Sequence, residues 1–441
     1  MTQGPILGHL LHLAAFMSIS MILQTTYFLI DLYFVSSLGK EAIAGVSLIG
    51  NLQFVVLAFT QMLGVGTTTL IAHATGRRDP AEVRTVFNQA CVLSLILGAA
   101  VCAAGYLLRD AYCRALSADQ ATLEQASAYL FWFIPSLGLQ FALVAMGSAL
   151  RGTGVVKPGL MVQILSVSIN AVLAPVLITG WGTGRPFGVT GAAYSTLIAM
   201  VAGILATALY IKTAGHHIAF DQHQWAPRFD LWKRMFNVGL PAGAEFALIA
   251  FYGAVVYGII AGFGASAQAG FGIGGRVMQS IFLPVMAISF AASPLAGQNF
   301  GARHGDRVRE TYRTAALLGS VLMFGVTLLC QIAPATLMRP FTHDAVVIGY
   351  GAEYLQIASW TFVASGLIFT QSGLFQALGN TWPSLACSAT RIVLFVMPAL
   401  WMARQPGFAL RQLWYLSVVT VAIQALVSYV ILQREFQRKL S

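Results

Sequence analysis

The stretch Leu23–Val35 reads LQTTYFLIDLYFV, an apolar run that contains one ionisable side chain, Asp31. On a helix, Gln24, Tyr27 and Asp31 follow one another at i, i+3 and i+7, so they form one polar stripe on an otherwise apolar cylinder. A carboxylate inside a membrane span is costly and usually marks an ion or substrate path. The stripe is therefore expected to face other parts of the protein or a water-filled cavity.

The composition is that of a polytopic membrane protein. Of the 441 residues, 57% are hydrophobic and 9% are charged, and the mean hydropathy is +0.75. Soluble proteins carry about a quarter charged residues. The net charge of +10 would suggest nucleic acid as a partner in a soluble chain, but membrane topology explains it better here, and no nucleic acid is expected. The five cysteines show no CxxC spacing, so they are interpreted as small apolar residues of the helices.

Glycine, proline and charge clusters divide the chain into twelve segments long enough to cross roughly 30 Å of hydrocarbon. The predicted spans of the first half are Leu10–Ser36, Ser47–Ala72, Thr85–Leu107, Ser127–Leu150, Pro158–Ile178 and Val189–Tyr210. Those of the second half are Phe236–Gly262, Phe271–Leu295, Thr311–Ile332, Tyr354–Leu378, Pro383–Met402 and Leu413–Leu432.

The basic residues between these spans predict the orientation. Sixteen of the 25 Lys and Arg fall on the side of both termini, seven fall on the other side, and two, Arg276 and Arg391, fall within spans. Loops rich in Lys and Arg stay in the cytoplasm. We therefore expect a multi-pass protein of the cytoplasmic (inner) membrane with both termini in the cytoplasm.

Glycine and proline residues recur at one offset, which indicates an internal repeat. Because six spans per half is an even number, both halves enter the membrane from the same side and the repeats are parallel. This pattern predicts an all-α membrane protein with twelve transmembrane helices in two six-helix lobes, residues 1–214 and 234–441, around a central cavity. The pairs separated by 225 residues are Gly39 and Gly264, Gly45 and Gly270, Gly76 and Gly301, Gly154 and Gly379, and Pro158 and Pro383.

Residues 215–233 read GHHIAFDQHQWAPRFDLWK and are expected to form a polar cytoplasmic connector between the lobes. The three histidines, His216, His217 and His223, could be interpreted as a metal site. No carboxylate or cysteine stands beside them in ligand spacing, so a solvated loop without metal is the better interpretation.

Five stretches resemble the multidrug and toxic compound extrusion (MATE) transporters, and the resemblance covers nearly the whole chain. The resemblance implies two six-helix lobes, a central cavity, alternating access, and exchange of amphipathic, often cationic, compounds for H⁺ or Na⁺. The stretches are LGKEAIAGVSL at 38–48, LRGTGVVKP at 150–158, VTGAAYSTLIA at 189–199, GLPAGAEFAL at 239–248 and PLAGQNFGARHGD at 294–306.

The resemblance also implies a cation or proton site in the first lobe, as in DinF-like members of the family. In the fifth span, members of the family often carry an Asn and, four residues later, an Asp before Pro; Asn170 and Pro175 are present here, and Ala174 replaces the Asp. The residues expected to form the site are Gln24, Tyr27 and Asp31, which match the branch, and Asn170 and Thr196, which match the family.

Depth within the membrane supports this site independently. Counted from the outer ends of their spans, Asp31, Asn170 and Thr196 lie at roughly 8, 12 and 10 Å, so they can converge. The alternative for Asn170 and Thr196 is ordinary hydrogen bonding between helices. Na⁺ prefers several fixed oxygens, whereas a lone Asp in an apolar pocket has its charged form destabilised. H⁺ is therefore favoured over Na⁺ as the coupling ion.

The second lobe carries two intramembrane charges, Glu245 and Arg391. NorM-like members of the family have an acidic residue in the seventh span, but Glu245 lies about one turn too early, and Ile249 or Ala250 stands in its place. Both charges lie roughly 12–14 Å from the cytoplasmic face, so each could neutralise the other. We predict a structural ion pair between them.

Three classes of function are compatible with a polytopic chain. The first is an H⁺-coupled exporter of amphipathic compounds, and the alternative is a flippase for a lipid-linked or zwitterionic metabolite. A membrane-embedded enzyme would need paired carboxylates, a metal site or an activated nucleophile in the spans, and none is evident. The expected partners are a small-molecule substrate, H⁺ or Na⁺, and membrane lipid; the chain is expected to act as a monomer without a cofactor.

Overall fold

The computed structural model describes residues 1–117, 119–182, 184–213 and 218–440, and all their regular structure is helical. The first half contains six long α-helices, as predicted. They are α1 Ile6–Ser36, α2 Lys40–Gly76, α3 Pro80–Leu116, α4 Gln120–Thr153, α5 Lys157–Ile178 and α6 Val189–Thr213.

The second half contains eight further α-helices and shorter 3₁₀ turns. The α-helices are α7 Phe229–Ile260, α8 Ala265–Gly301, α9 Gly305–Ile332, α10 Pro334–Met338, α11 Ala345–Ala358, α12 Phe362–Ala377, α13 Trp382–Met402 and α14 Leu410–Lys439. The 3₁₀ turns are Gln222–Gln224, Ala261–Phe263 and Ser359–Thr361.

The predicted tenth span is not one helix. Eleven helices in the described part of the chain are long and apolar enough to cross a membrane, and the remaining crossing consists of α11, the turn Ser359–Thr361 and α12. Side chains satisfy the loosened backbone at this turn, since Thr327 donates to the Ser359 carbonyl at 3.0 Å and Thr361 donates to the Ala358 carbonyl at 2.7 Å. Hydropathy does not detect such a break because the turn carries no charged residue and both of its hydroxyl side chains, Ser359 and Thr361, are buried. The predicted all-α membrane fold is confirmed.

The internal repeat is visible in the helix ends and in the backbone between helices. Each end of α8 lies 225 residues after the corresponding end of α2. Gly39 and Gly264 precede these helices with φ of 108° and 91°, values that favour glycine. Arg78 and Arg303, which follow them, have φ of 58° and 60°. Two helix junctions in each half therefore have the same local geometry.

The repeat extends to side-chain packing. In the first half, a Cβ on Gly64 would lie 3.0 Å from Ser148 Oγ. At the corresponding positions of the second half the two residue types are exchanged, and a Cβ on Gly373 would lie 2.9 Å from Ser289 Oγ. Each helix contact thus keeps one glycine and one serine, which allows close helix approach.

The described residues form two compact units, residues 16–243 and residues 1–15 with 244–441. The division therefore falls inside α1 and α7, whereas the predicted lobes divide at the 215–233 connector. Within the first unit α4 packs against α2, α3 and α6, and within the second α8 packs against α9, α11 and α12. Arg307 illustrates why residues 1–15 join the second unit, because it donates to the Gly4 carbonyl at 2.9 Å.

Two adjacent amides of α3, Asn88 and Gln89, hold the described part of the connector. Both side chains are fully buried. Asn88 donates to the Ala219 carbonyl at 2.9 Å and accepts from the Asp221 amide at 2.9 Å. Gln89 donates to the Gln224 carbonyl at 2.6 Å and to the Ala226 carbonyl at 2.8 Å. The connector residues 218–228 are therefore fixed to the first unit rather than freely solvated.

The connector histidines do not form a metal site in the described residues. His223 is exposed, and no group of three His, Cys, Asp or Glu side chains within the described ranges could hold a metal ion. His216 and His217 lie outside the described residues.

Replacing Asn88 with alanine is expected to loosen the connector. The change leaves the Ala219 carbonyl and the Asp221 amide without their partner, at a cost of about 1–3 kcal/mol. Hydrogen exchange of residues 218–228 should become faster than in the wild type. Gln437→Ala removes an exposed amide on α14 and serves as the control, and equal exchange in both variants would contradict the proposed anchoring role.

Candidate cation and proton site

The carboxylate of Asp31 on α1 accepts hydrogen bonds from two other helices. Asn170 of α5 donates through Nδ2 to Oδ1 at 2.9 Å, and Thr196 of α6 donates through Oγ1 to Oδ2 at 3.3 Å. The depth estimate and the geometry agree, because three polar groups from three helices meet at one level. Each carboxylate oxygen thus has its own donor.

Asn170 is the centre of this arrangement. Its side chain is fully buried, and Nδ2 also lies 3.4 Å from Ser195 Oγ, which itself donates to the Ala192 carbonyl at 2.9 Å. Its carbonyl oxygen Oδ1 is buried without a hydrogen-bond partner among the described residues. A buried amide oxygen of this kind is costly. It is therefore a ready acceptor for a proton or cation that arrives at the site.

Two tyrosines complete the surroundings of Asp31. Tyr27, one turn earlier on α1, lies within hydrogen-bonding reach of Thr196 and Asn170. Tyr129 of α4 is 6% exposed and close enough to Asp31 and Tyr27 to interact electrostatically with both. Sequence reasoning missed Tyr129, because the aromatic run around it looks like ordinary helix packing, and it does stack on Phe133.

Gln24 does not join this group. Its side chain is exposed and makes no hydrogen bond to any residue that the structure describes. A helical spacing identifies a common face but cannot say how far along that face the site extends. The polar site is therefore limited to Tyr27, Asp31 and their partners on α4, α5 and α6.

The arrangement suits a group that gains and loses a proton. Amide and hydroxyl hydrogens point at the carboxylate and can stabilise its charged form, while Asn170 Oδ1 offers an acceptor close by. A hard cation instead needs several oxygen lone pairs directed at one point. In this arrangement Asn170 and Thr196 direct hydrogens, rather than lone pairs, at the carboxylate.

The family model described as MatE matches residues 17–176 and 241–402, one segment in each half of the repeat. The chain belongs to the MatE family. The predicted membership of the MATE transporters is thereby confirmed, and with it the class of multi-pass membrane transporters.

Named relatives match this MatE chain over most of its length. Multidrug export protein MepA of Staphylococcus haemolyticus is 26% identical over 382 residues, which cover 86% of this chain and 83% of MepA. A protein named FAD transporter from Shewanella oneidensis is 25% identical and covers 84% and 82%. A solved structure described as the outward-facing conformation of a multidrug resistance MATE family transporter has a TM-score of 0.91 at 24% identity, over 99% and 97% of the two chains. That likeness shows the MATE fold.

The second unit of this MatE chain lacks the predicted ion pair. Glu245 accepts a hydrogen bond from Ser372 at 3.2 Å and is hydrogen-bonded to Ser384, whereas the Arg391 guanidinium lies 5.0 Å from the ring centre of Tyr252. No salt bridge joins Glu245 and Arg391 in the described chain, so that prediction is wrong. Ser384 and Arg391 are separated by seven residues of α13, about 10 Å along the helix. Depth counted from the helix ends overlooked this separation.

A double-mutant cycle tests this correction. Glu245→Gln and Arg391→Gln should change the free energy of unfolding additively, within about 0.5 kcal/mol, because the two groups share no partner. Glu245→Gln combined with Ser384→Ala should instead be non-additive, since those side chains are bonded. Denaturant titration of the purified protein in detergent provides the measurement. A coupling free energy above about 1 kcal/mol between Glu245 and Arg391 would contradict the correction and support the ion pair.

Proposed function

We propose that this MatE protein is an H⁺-coupled antiporter that exports amphipathic, often cationic, compounds by alternating access. The observation that carries the proposal is the Asp31 carboxylate held by Asn170 and Thr196. It is a titratable group inside a membrane span, bonded to two further helices of the same unit. Protonation there would change how α1 is held against α5 and α6.

The choice of H⁺ rests on the count of donors and acceptors. The carboxylate already accepts from an amide and a hydroxyl, so the unprotonated form is satisfied without a cation. When Asp31 takes up a proton, a half-turn of the Asn170 amide would present the unpartnered Oδ1 as its acceptor. Asn170 can thus bond Asp31 in both protonation states of the carboxyl group. Coupling to Na⁺ would not require such a change of partner.

Coupling follows when proton and substrate favour different conformations. A ligand that binds two conformations equally well shifts neither. Protonated Asp31 is uncharged and deprotonated Asp31 is charged, so deprotonation would favour the conformation in which a cationic substrate can enter. The DinF-like assignment rests on these same residues and stays a prediction.

The range of substrates is proposed from the relatives. MepA is named as a multidrug export protein, and the Shewanella relative is named as an FAD transporter, so relatives of this chain are named for different substrates. We assign amphipathic export to this chain, with both termini in the cytoplasm and the protein in the inner membrane, because the distribution of Lys and Arg favours that orientation.

Transport into proteoliposomes tests the proposal. A fluorescent cationic dye is added outside vesicles that have an acidic lumen, and in parallel to vesicles that have a Na⁺ gradient at equal pH. We expect dye to accumulate only with the pH gradient and to leave again when a protonophore is added.

Two outcomes would contradict the proposal. Accumulation driven by Na⁺ alone would exclude H⁺ as the sole coupling ion. Transbilayer movement of a fluorescent phospholipid, with no dye transport under either gradient, would favour the flippase alternative instead.

A further inference from the structure

A cavity of about 500 Å³ opens where α3 ends and where α4 and α6 begin, within the unit 16–243. Its lining includes Arg109 and Arg114 of α3, Glu124 of α4 and Thr190 of α6. None of the residues that hold Asp31 lines it. The proposed transport cycle therefore leaves this cavity without a role.

The cavity lies at the level where the helices leave the hydrocarbon. On α3 no charged residue occurs between Arg84 and Arg109, and on α4 none occurs between Glu124 and Arg151. Arg109 and Glu124 are thus the first charges beyond two long apolar runs that pack against each other. The lipid headgroups occupy this level of a bilayer.

One positive and one negative side chain that line the cavity have no ion-pair partner among the described residues. Arg109 is already engaged, because its Nε lies 2.8 Å from Asp110 Oδ1 and its guanidinium lies 5.2 Å from the centre of the Phe131 ring. Arg114 forms no ion pair within 4 Å of a described carboxylate and acts on Asp110, another lining residue, only electrostatically, and Glu124 accepts at 3.2 Å from the neutral Gln120. The free charges therefore match a ligand that carries both signs.

The apolar side of the cavity continues toward the bilayer. Leu107 and Leu108 precede Arg109 on α3 and are 83% and 62% exposed. The rings of Phe131 and Trp132 line the cavity, and Trp132 packs on Tyr194 with ring centres 4.8 Å apart. Aromatic side chains at this level are typical of the membrane interface. An occupant with a charged head and a hydrocarbon tail fits both parts.

We propose that the cavity binds the phosphoethanolamine headgroup of a phospholipid, with the phosphate on Arg114 and the primary ammonium on Glu124. The ammonium can donate hydrogen bonds to a carboxylate, whereas a choline group cannot. The ring of Phe131 is already covered by Arg109, so no open aromatic cage for choline is present in the described cavity. Phosphatidylethanolamine is therefore the lipid expected here.

Native mass spectrometry of the detergent-purified protein tests the assignment. The protein is mixed with equal amounts of phosphatidylethanolamine, phosphatidylcholine and phosphatidylglycerol, and the bound lipids are counted. Glu124→Gln should lower phosphatidylethanolamine binding about fivefold and shift the preference toward phosphatidylglycerol, because the cavity gains net positive charge. Arg114→Gln should weaken both lipids, and Arg411→Gln, an exposed change on α14, should weaken neither.

The shift in preference distinguishes recognition from a loss of folding, which would lower the binding of all lipids together. Equal binding of phosphatidylcholine to the wild type, or an unchanged preference in Glu124→Gln, would overturn the inference. Displacement of the lipid by an equal concentration of soluble glycerophosphoethanolamine would overturn the assignment to a lipid in favour of a free phosphoethanolamine compound.

Discussion

Replacing Asp31 with asparagine is expected to abolish gradient-driven accumulation while leaving the fold intact. The amide is nearly the same size as the carboxyl group and can still bond Asn170 and Thr196, but it cannot exchange a proton. One pH unit supplies about 1.4 kcal/mol per proton, which supports at most about tenfold accumulation for a one-to-one exchange. In the variant, dye in proteoliposomes should only reach equal concentrations on both sides.

The control for this experiment is Asp306→Asn, which changes an exposed carboxyl in the first turn of α9. It should accumulate dye as the wild type does. Asp31→Glu keeps a titratable group and should retain part of the activity. Wild-type accumulation by Asp31→Asn, with the same dependence on pH, would remove Asp31 from the coupling mechanism.

Replacing Gly239 with alanine is expected to destabilise the first unit strongly. A Cβ at this position of α7 would overlap the carbonyl oxygen of Met62 on α2. One turn later, a Cβ on Gly243 would lie 2.6 Å from the Ala58 carbonyl oxygen, so the two backbones cannot separate at one point only. Overpacking of such contacts costs about 1–3 kcal/mol or more. The midpoint of thermal unfolding in detergent should fall clearly.

Gly253→Ala is the matched control on the same helix. A Cβ there meets open space, so the change should leave stability unchanged or raise it by up to about 1 kcal/mol through helix propensity. If Gly239→Ala and Gly253→Ala unfold at the same temperature, the close approach of α7 and α2 does not limit stability.

Much of this architecture can be predicted from the sequence, for identifiable physical reasons. A glycine before α2 or α8 occupies backbone that other residues avoid, so Gly39 and Gly264 reveal the 225-residue repeat. Asp31 is conspicuous because charge is rare in a span. Their depth allows Asp31, Asn170 and Thr196 to meet, since their helices belong to one half and run across the same bilayer.

Other features depend on rotation and tilt, which a linear count does not contain. Gln24 shares a helical face with Asp31 yet is exposed, and Glu245 is bonded to Ser384 rather than to Arg391. The amides Asn88 and Gln89 give no sequence signal, because their partners are connector carbonyls and amides more than a hundred residues away. Backbone partners of this kind can be read only from coordinates.

The two units divide within α1 and α7, and this division limits the order in which they can fold during synthesis. The unit 16–243 cannot complete its packing until the first half of α7 has left the ribosome, because Gly239 of α7 packs closely against Met62 of α2. Residues 1–15 must wait longer, because Gly4 is bonded by Arg307. Two fragments separated at the connector would each lack a piece of their own unit. Made apart they should be degraded, and made together they should assemble into an active transporter.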